Sequence, residues 1–513
     1  MLTLPNITFD MQKNKKEILA MRGINYSDQL QDGDLADSLN LSARRYPYIA
    51  TRKGRVKQEA YANVTALTAW EKLVAVRGTD LLYDGAVVGQ VTAGEKQFAV
   101  VNTRLVIWPD KVFLDLNTST VKPLGASVSG KGTKFTTNTM TITWSAVDLT
   151  AHFKVGDAVT ISGCTTKTAN NKDVVIKELT ATTLKVSENG FVAVTSEAGD
   201  VKLERVVPDL DFICESQNRL WGVSNEKQTI YASALGDPTN FNVFEGLSTD
   251  SYALAVGSEG NFTGCIKQSS SVLFWKETKL HKILGSYPAE YSMYTYDIEG
   301  LQAGCHKSMQ IINEVLFYMG LHGVYAFSGG TPTLMSANFG DRNFTNAVAG
   351  NDGDSYYLAV KEGSKKHLLV YETRSGIWVH EDNIHCTDFA RIGKDLYMLQ
   401  DNGDVLLTVG TEDEAGMEWL AQFTPLYETI QGRKVHSKLH LRVEVPVGSY
   451  MIASVRCDGG PWREAARVVG KTNDAVPLRI IMERCDKFEF KLAGKGPCAI
   501  LSILREFSVG SEV

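Results

Sequence analysis

The sequence predicts an all-β protein: a β-propeller of six or seven blades with an inserted small β-barrel and a C-terminal antiparallel β-sandwich. Three observations predict it. The stretch NRLWGVSNEKQTIYASALGDPTNFNVFEG, residues 218–246, reads as two short strands, 219–223 and 229–233, around a polar turn, which fits a meander better than a crossover. The same strand–turn–strand unit returns at 272–284, 314–327, 356–371 and 395–407, and upstream at 72–83 and 105–114, a spacing of roughly 40 residues that propeller blades show. Each unit is too short to bury its own face and must stack on neighbours, and radial repetition hides the edges that result. The competing reading is a set of unrelated hairpins in a sandwich.

In chain order, residues 1–44 form an N-terminal arm without blade pattern, polar and acidic through INYSDQLQDGDLADSLNL. Tyr46-Pro47 forces an extended entry, so a strand is expected over 48–52. The first propeller part spans 45–123. Residues 124–205 interrupt it with short Thr- and Val-rich alternating runs at 140–144, 158–162, 173–177 and 183–187, the inserted barrel. The second propeller part spans 206–424. From 425 to 513 strict alternation at Leu439, Leu441, Val443 and Val445 opens the C-terminal sandwich, with further strands at 451–456, 479–482, 488–492 and 500–505.

Bulk numbers restrict the function. A chain of 513 residues holds two to four domains. A net charge of -6 gives no basic signature for tight nucleic-acid binding. The eight cysteines contain no CxxC and read as reduced, buried small hydrophobes of a protein made in a cytoplasm. Residues 13–17 are followed by no apolar signal region, and no apolar run reaches bilayer length, so no membrane insertion is expected.

Chemical motifs are sparse. Gly125 to Lys131 nearly spells a phosphate loop, but Gly132 stands where the magnesium-binding hydroxyl belongs, and a linker fits better. His380 and His385 in WVHEDNIH are five apart, which suits no helical metal face, and a loop between blades is expected there. His436 and His440 begin an alternating strand and are expected on its exposed face. Asp352-Gly-Asp354 and 401–404 read as hairpin turns rather than calcium loops. No serine sits in G-x-S-x-G. No catalytic residue, metal or cofactor is assigned, and the expectation is a protein that is not an enzyme.

The segments NLSARRYPYIATR, NRLWGV…IYASALGDPTNFNVFEG, LGS…GCHKS and RCDKFEFKLAGKGPC together resemble bacteriophage and prophage virion structural proteins. They look most like the β-propeller tail-nozzle and packaged-DNA-stabilisation proteins of short-tailed phages, over about residues 40–123 and 206–510. The resemblance implies a ring of copies, most simply a hexamer, around the DNA exit channel. It implies portal, adaptor and other tail proteins as partners, passing DNA that is not held tightly, and a place in the virion tail after assembly in the host bacterial cytoplasm. Asp32, Asp34, Asp37, Arg44, Arg45, Tyr46, Pro47 and Arg52 are the candidate subunit interface, since opposite charges along an extended arm can steer neighbours. A strand that closes its own propeller is the competing role for the arm. The rival function is a glycan-binding or glycan-degrading propeller at the tail tip, with Trp275 and Trp378 stacking on sugars.

Overall fold

A computed structural model gives the fold and describes residues 12–187, 189–427, 433–479 and 484–509. The chain is a β-propeller by its repeating unit. Among the described residues, seven four-stranded antiparallel meanders recur. They divide between two compact units, Asn63–His306 and the described parts of Met1–Ala62 with Lys307–Val513.

The Asn63–His306 unit carries blades one to four and the insertion. Blade three shows the plan: Phe212–Ser216, Arg219–Ser224, Thr229–Ala232 and Tyr252–Ala255 pair in sequence order. The second strand, RLWGVS, is buried at every position, because a neighbouring blade covers each face. Trp221, Val223 and Ile230 of blade three meet Phe262, Phe274 and Ile283 of blade four. Trp108 and Val106 of blade two pack in the same way with Ile213 and Leu220 of blade three. Burying one such large side chain is worth about 1.5–3 kcal/mol, so stacking on neighbours holds each blade in place.

The second unit carries blades five to seven. Blade six comprises Thr345–Asn351, Ser355–Glu362, Lys365–Glu372 and Ile377–Asp382. Against it, Gly350 lies so close to Phe389 of blade seven that a β-carbon there would sit 2.6 Å from the Phe389 side chain. Blade seven takes Cys386–Ile392, Asp395–Gln400 and Val405–Leu407 from its own sequence and its outer strand, Val56–Lys57, from ahead of blade one. The closing strand therefore exists, just beyond the stretch at 48–52 where the sequence suggested one. Ile49–Thr51 instead pairs with Ala499–Val509.

The N-terminal and C-terminal segments share one sheet. Asp34–Leu39 pairs with Glu418–Phe423, Gln12–Ile18 pairs with Ala499–Val509, and Lys434–Cys457 runs through the middle. The arm at 1–44 and the sandwich at 425–513, read separately from the sequence, are interleaved where they are described. The expected strand at 479–482 falls largely outside the described residues.

The insertion holds two small four-stranded sheets over a core of Phe135, Met140, Trp144, Phe153, Ile161 and Leu203. Gly125 to Lys131 is not a linker. Ala126–Gly130 is a strand paired with Val201–Arg205, so the entry and exit of the insertion lie side by side. Gly130 must be glycine there, since a β-carbon would meet the Trp144 ring at 2.4 Å. Among the described residues no helix is long and apolar enough to cross a membrane.

Candidate functional site

The residues expected at a subunit interface are drawn into contacts inside their own compact unit. Arg44 Nη2 pairs with Asp352 and donates to Tyr357 Oη at 2.6 Å, while its Nε lies 3.7 Å from Glu372. Burial works against the Arg44 charge, but Tyr357, Asp352 and Glu372 together hold its pKa above the ordinary value. Arg45 pairs with Glu444 at 2.8 Å. Arg52 donates to Asn40 Oδ1 at 2.8 Å and lies 3.8 Å from Glu381. Burial raises the Glu381 carboxyl above its usual value, and Arg55, Arg52 and Arg44 oppose that rise.

The acidic residues go to separate partners. Asp32 accepts from Arg505 at 2.7 Å, Asp34 accepts from Asn25 and the Gln31 amide at 2.7 Å, and Asp37 lies 3.1 Å from His380 Nδ1. Pro47 follows Tyr46 through a cis bond. Tyr46, 51% exposed, and Tyr48, 37% exposed, are the large apolar surface this segment offers. Arg44, Arg45 and Arg52 share the lining of one cavity of about 160 Å³ with Tyr357, Glu381 and Thr408. With Asp352, Glu372, Glu444 and Glu381 beside these cations, the cavity carries no free positive charge to hold an anion. Nothing local in the sequence ties Tyr357, Glu372 or Glu381 to Arg44, since each lies more than 300 residues from it.

Other expectations are corrected by burial. Trp275 and Trp378 are 0% and 1% exposed, in the interiors of blades four and six, and cannot stack on a sugar. His380 lies on a strand rather than in a loop. His436 is buried and stacked on Phe488, ring centroids 4.2 Å apart, because a bulge between His436 and Lys438 switches which face of the strand it occupies. Ser258 Oγ and His281 Nε2 are 2.8 Å apart, a serine hydroxyl on an imidazole, with His281 Nδ1 2.9 Å from Thr295 Oγ1. Burial, then Lys276 and Lys279, hold that imidazole down to about 4, so it is a poor acceptor for a serine proton near neutrality. Among the described residues no group of three or more His, Cys, Asp and Glu side chains is placed to hold a metal ion.

One surface element is built rigidly and points apolar groups outward. Between Thr229–Ala232 and Tyr252–Ala255 the chain folds into a knuckle. Buried Asp250 takes the amides of Glu245, Gly246 and Leu247 on one carboxylate oxygen. Buried Arg219 donates to the carbonyls of Ser233, Ser248 and Asp250 from beneath. On this frame Phe244, Leu247 and Leu235 are 60%, 57% and 46% exposed, while Phe241 next to them is buried.

No family model and no curated protein matches this chain. Solved structures similar to it include an exo-β-1,3-galactanase of Phanerochaete chrysosporium, 8% identical over 56% of this chain and 92% of that one, with a TM-score of 0.22. Hsv2 of Kluyveromyces lactis is 10% identical over 60% and 69%, with a TM-score of 0.30. A putative exported protein of Bacteroides fragilis is 9% identical over 59% and 84%, with a TM-score of 0.24. At these identities the likeness is one of fold. The expectation that the chain is not an enzyme is nonetheless corrected, since glycoside hydrolases stand among the structures it resembles and a missing sequence motif excludes nothing.

Proposed function

We propose that the protein is a structural component of a phage virion tail, at the nozzle or the head-to-tail channel. It assembles as a ring and docks other tail proteins. The observation that carries this reading is the braced knuckle at Phe244 and Leu247. Exposed apolar clusters mark association sites, and a loop already fixed in its bound shape loses little entropy on docking. The knuckle also coincides with ALGDPTNFNVFEG, part of one of the four segments that resemble virion proteins.

The role is mechanical: copies hold the channel and present loops to the portal, the adaptor and one another. DNA passes without being gripped, in keeping with a net charge of -6. Negative-stain images of the purified protein, alone and with portal complex, test the reading. A closed ring that the Phe244→Ser/Leu247→Ser double variant fails to form supports it. A monomer under both conditions, or a ring indifferent to the two substitutions, removes the knuckle from the account.

A further inference from the structure

Two buried histidines of blade six face each other. His367, on Lys365–Glu372, and His380, on Ile377–Asp382, bring Nδ1 and Nε2 to 3.3 Å, with ring centroids 5.0 Å apart. On the far side of His380, Nδ1 is 3.1 Å from Asp37. On the far side of His367, Nε2 is 3.5 Å from Glu362. A chain of four groups thus runs from Asp37 through His380 and His367 to Glu362, with a carboxylate reaching solvent at each end, 48% and 29% exposed. Arg342, 3.5 Å from Glu362, and Tyr26, stacked under that guanidinium, are the other ionisable groups around it, and the Phe344 ring packs on His367.

Proton positions follow from which atoms can donate. Ionised Asp37 only accepts, so His380 carries its hydrogen on Nδ1. Neutral His380 then accepts at Nε2 from His367 Nδ1–H. That leaves His367 Nε2 bare, without a hydrogen-bond partner and facing the Glu362 carboxylate, two acceptors with no proton between them. One added proton, on His367 Nε2, meets Glu362 only at 3.5 Å and puts a charge on a ring that burial disfavours charging. A second, on His380 Nε2, sets two N–H groups and two positive charges against each other across the 3.3 Å contact.

The strand that would move carries the N-terminal segment with it. Ser38 Oγ donates to the His380 carbonyl and accepts from the His380 amide, both at 2.9 Å, and the Asn40 amide donates to the Glu381 carbonyl at 2.7 Å. A charged His380 binds Asp37 more tightly, so repulsion acts between the two blade strands and not at the Asp37 contact. Pairing between those strands is already interrupted by a bulge beside His380.

We propose that the His367–His380 pair is a proton-operated latch: closed at neutral pH, it holds the outer strand of blade six and the N-terminal strand against the blade, and acid opens it. Burial, with His380 beside it, keeps the His367 imidazole below its ordinary value. A depressed value in the folded state means stability that is complete above the unfolded-state value, about 6.5, and is lost as the pH falls below it.

Hydrogen exchange on the full chain at pH 7 and pH 5, corrected for intrinsic rates, tests the latch. Segments 34–40 and 365–382 should lose protection by about tenfold or more in acid, about 1.4 kcal/mol of opening free energy. His367→Asn keeps a donor where Nδ1 stood but takes no proton, and should hold its protection to within about twofold. Equal acid loss in both proteins, or none in the wild type, overturns the proposal. Should the variant not fold, an NMR titration of the wild-type imidazoles decides: a His367 midpoint below about 6.5 supports the latch, and one at or above it overturns the latch.

Discussion

Asn240 of the blade-three knuckle donates to Asp157 inside the insertion at 3.1 Å, with both side chains out of water. Asn240 Oδ1 in turn accepts from the Ala158 amide at 3.2 Å, and Arg205 pairs with the other oxygen of Asp157. The insertion is therefore fixed to the blade that presents the knuckle. Lys154–Asp237 at 2.7 Å and the pair Lys177–Glu245 reinforce it at the rim.

Asp157→Ala leaves the Arg205 guanidinium buried without its counter-charge. Breaking a buried pair this way costs about 3–5 kcal/mol. Denaturant unfolding should show that loss in the transition that contains the insertion. A change of under about 1 kcal/mol, the size of an exposed pair, would show that water reaches the site.

Excision of 125–203 with a short linker removes two partners of Asn240, Asp157 and the Ala158 amide, and leaves it Asp237 at 2.7 Å. The shortened chain should fold with a lowered melting temperature. Asn240→Ala in the intact protein should show part of the same loss, about 1–3 kcal/mol, because it takes a donor from buried Asp157. A deletion that melts as the intact protein does would make the Asn240 contact dispensable.

The Glu197 carboxyl is held well below the usual carboxylate range. Burial opposes its charge, yet the amides and hydroxyl of Thr166 and the amides of Thr165 and Gly199 hold it down to about 2. A depressed carboxylate contributes stability that is present above its unfolded value and is lost as pH falls toward the folded one. The insertion should weaken from about pH 4.5 downward, and Glu197→Gln should flatten that part of the profile. An unchanged profile in the glutamine variant would assign the acid loss elsewhere.

Gly350→Ala places a methyl group 2.6 Å from Phe389 between blades six and seven. Overpacking of this kind costs about 1–3 kcal/mol. Calorimetry on Gly350→Ala, on Phe389→Gly and on the double variant separates a steric cost, which loss of the Phe389 β-carbon and ring relieves, from a backbone cost, which it does not.

Removal of residues 1–45 should disrupt folding. Asp34–Leu39 pairs with Glu418–Phe423, and Arg44 reaches Asp352 of blade six. Circular dichroism of the truncated protein should show loss of a cooperative transition, where a detachable arm would leave it in place.

The middle two strands of each blade were legible in the sequence and the outer ones were not. VLFW at 272–275 and YYLAV at 356–360 are buried on both faces and read as continuous apolar runs. The outer strand Ser292–Asp297 is largely exposed, and its SMYTYD carries no such run. The closing strand Val56–Lys57 is exposed at both residues and has no hydrophobic signal at all. The charges of the arm were visible, but their partners were not, because Arg44 and Asp352 meet only after the sheet has formed. Histidine burial was missed wherever a bulge altered strand parity, as at His436.

The outer strand of blade seven is synthesised at residues 56–57, and its partner, Val405–Leu407, about 350 residues later. At roughly 5–20 residues per second a ribosome needs roughly 20–70 s to cover that distance. Throughout that interval the early strand waits unpaired while other blades form around it. The hydrogen bonds that complete blade seven are therefore timed by the synthesis of Val405–Leu407. A nascent chain stalled before residue 405 should expose an open sheet edge that a chaperone, or a second stalled chain, can occupy.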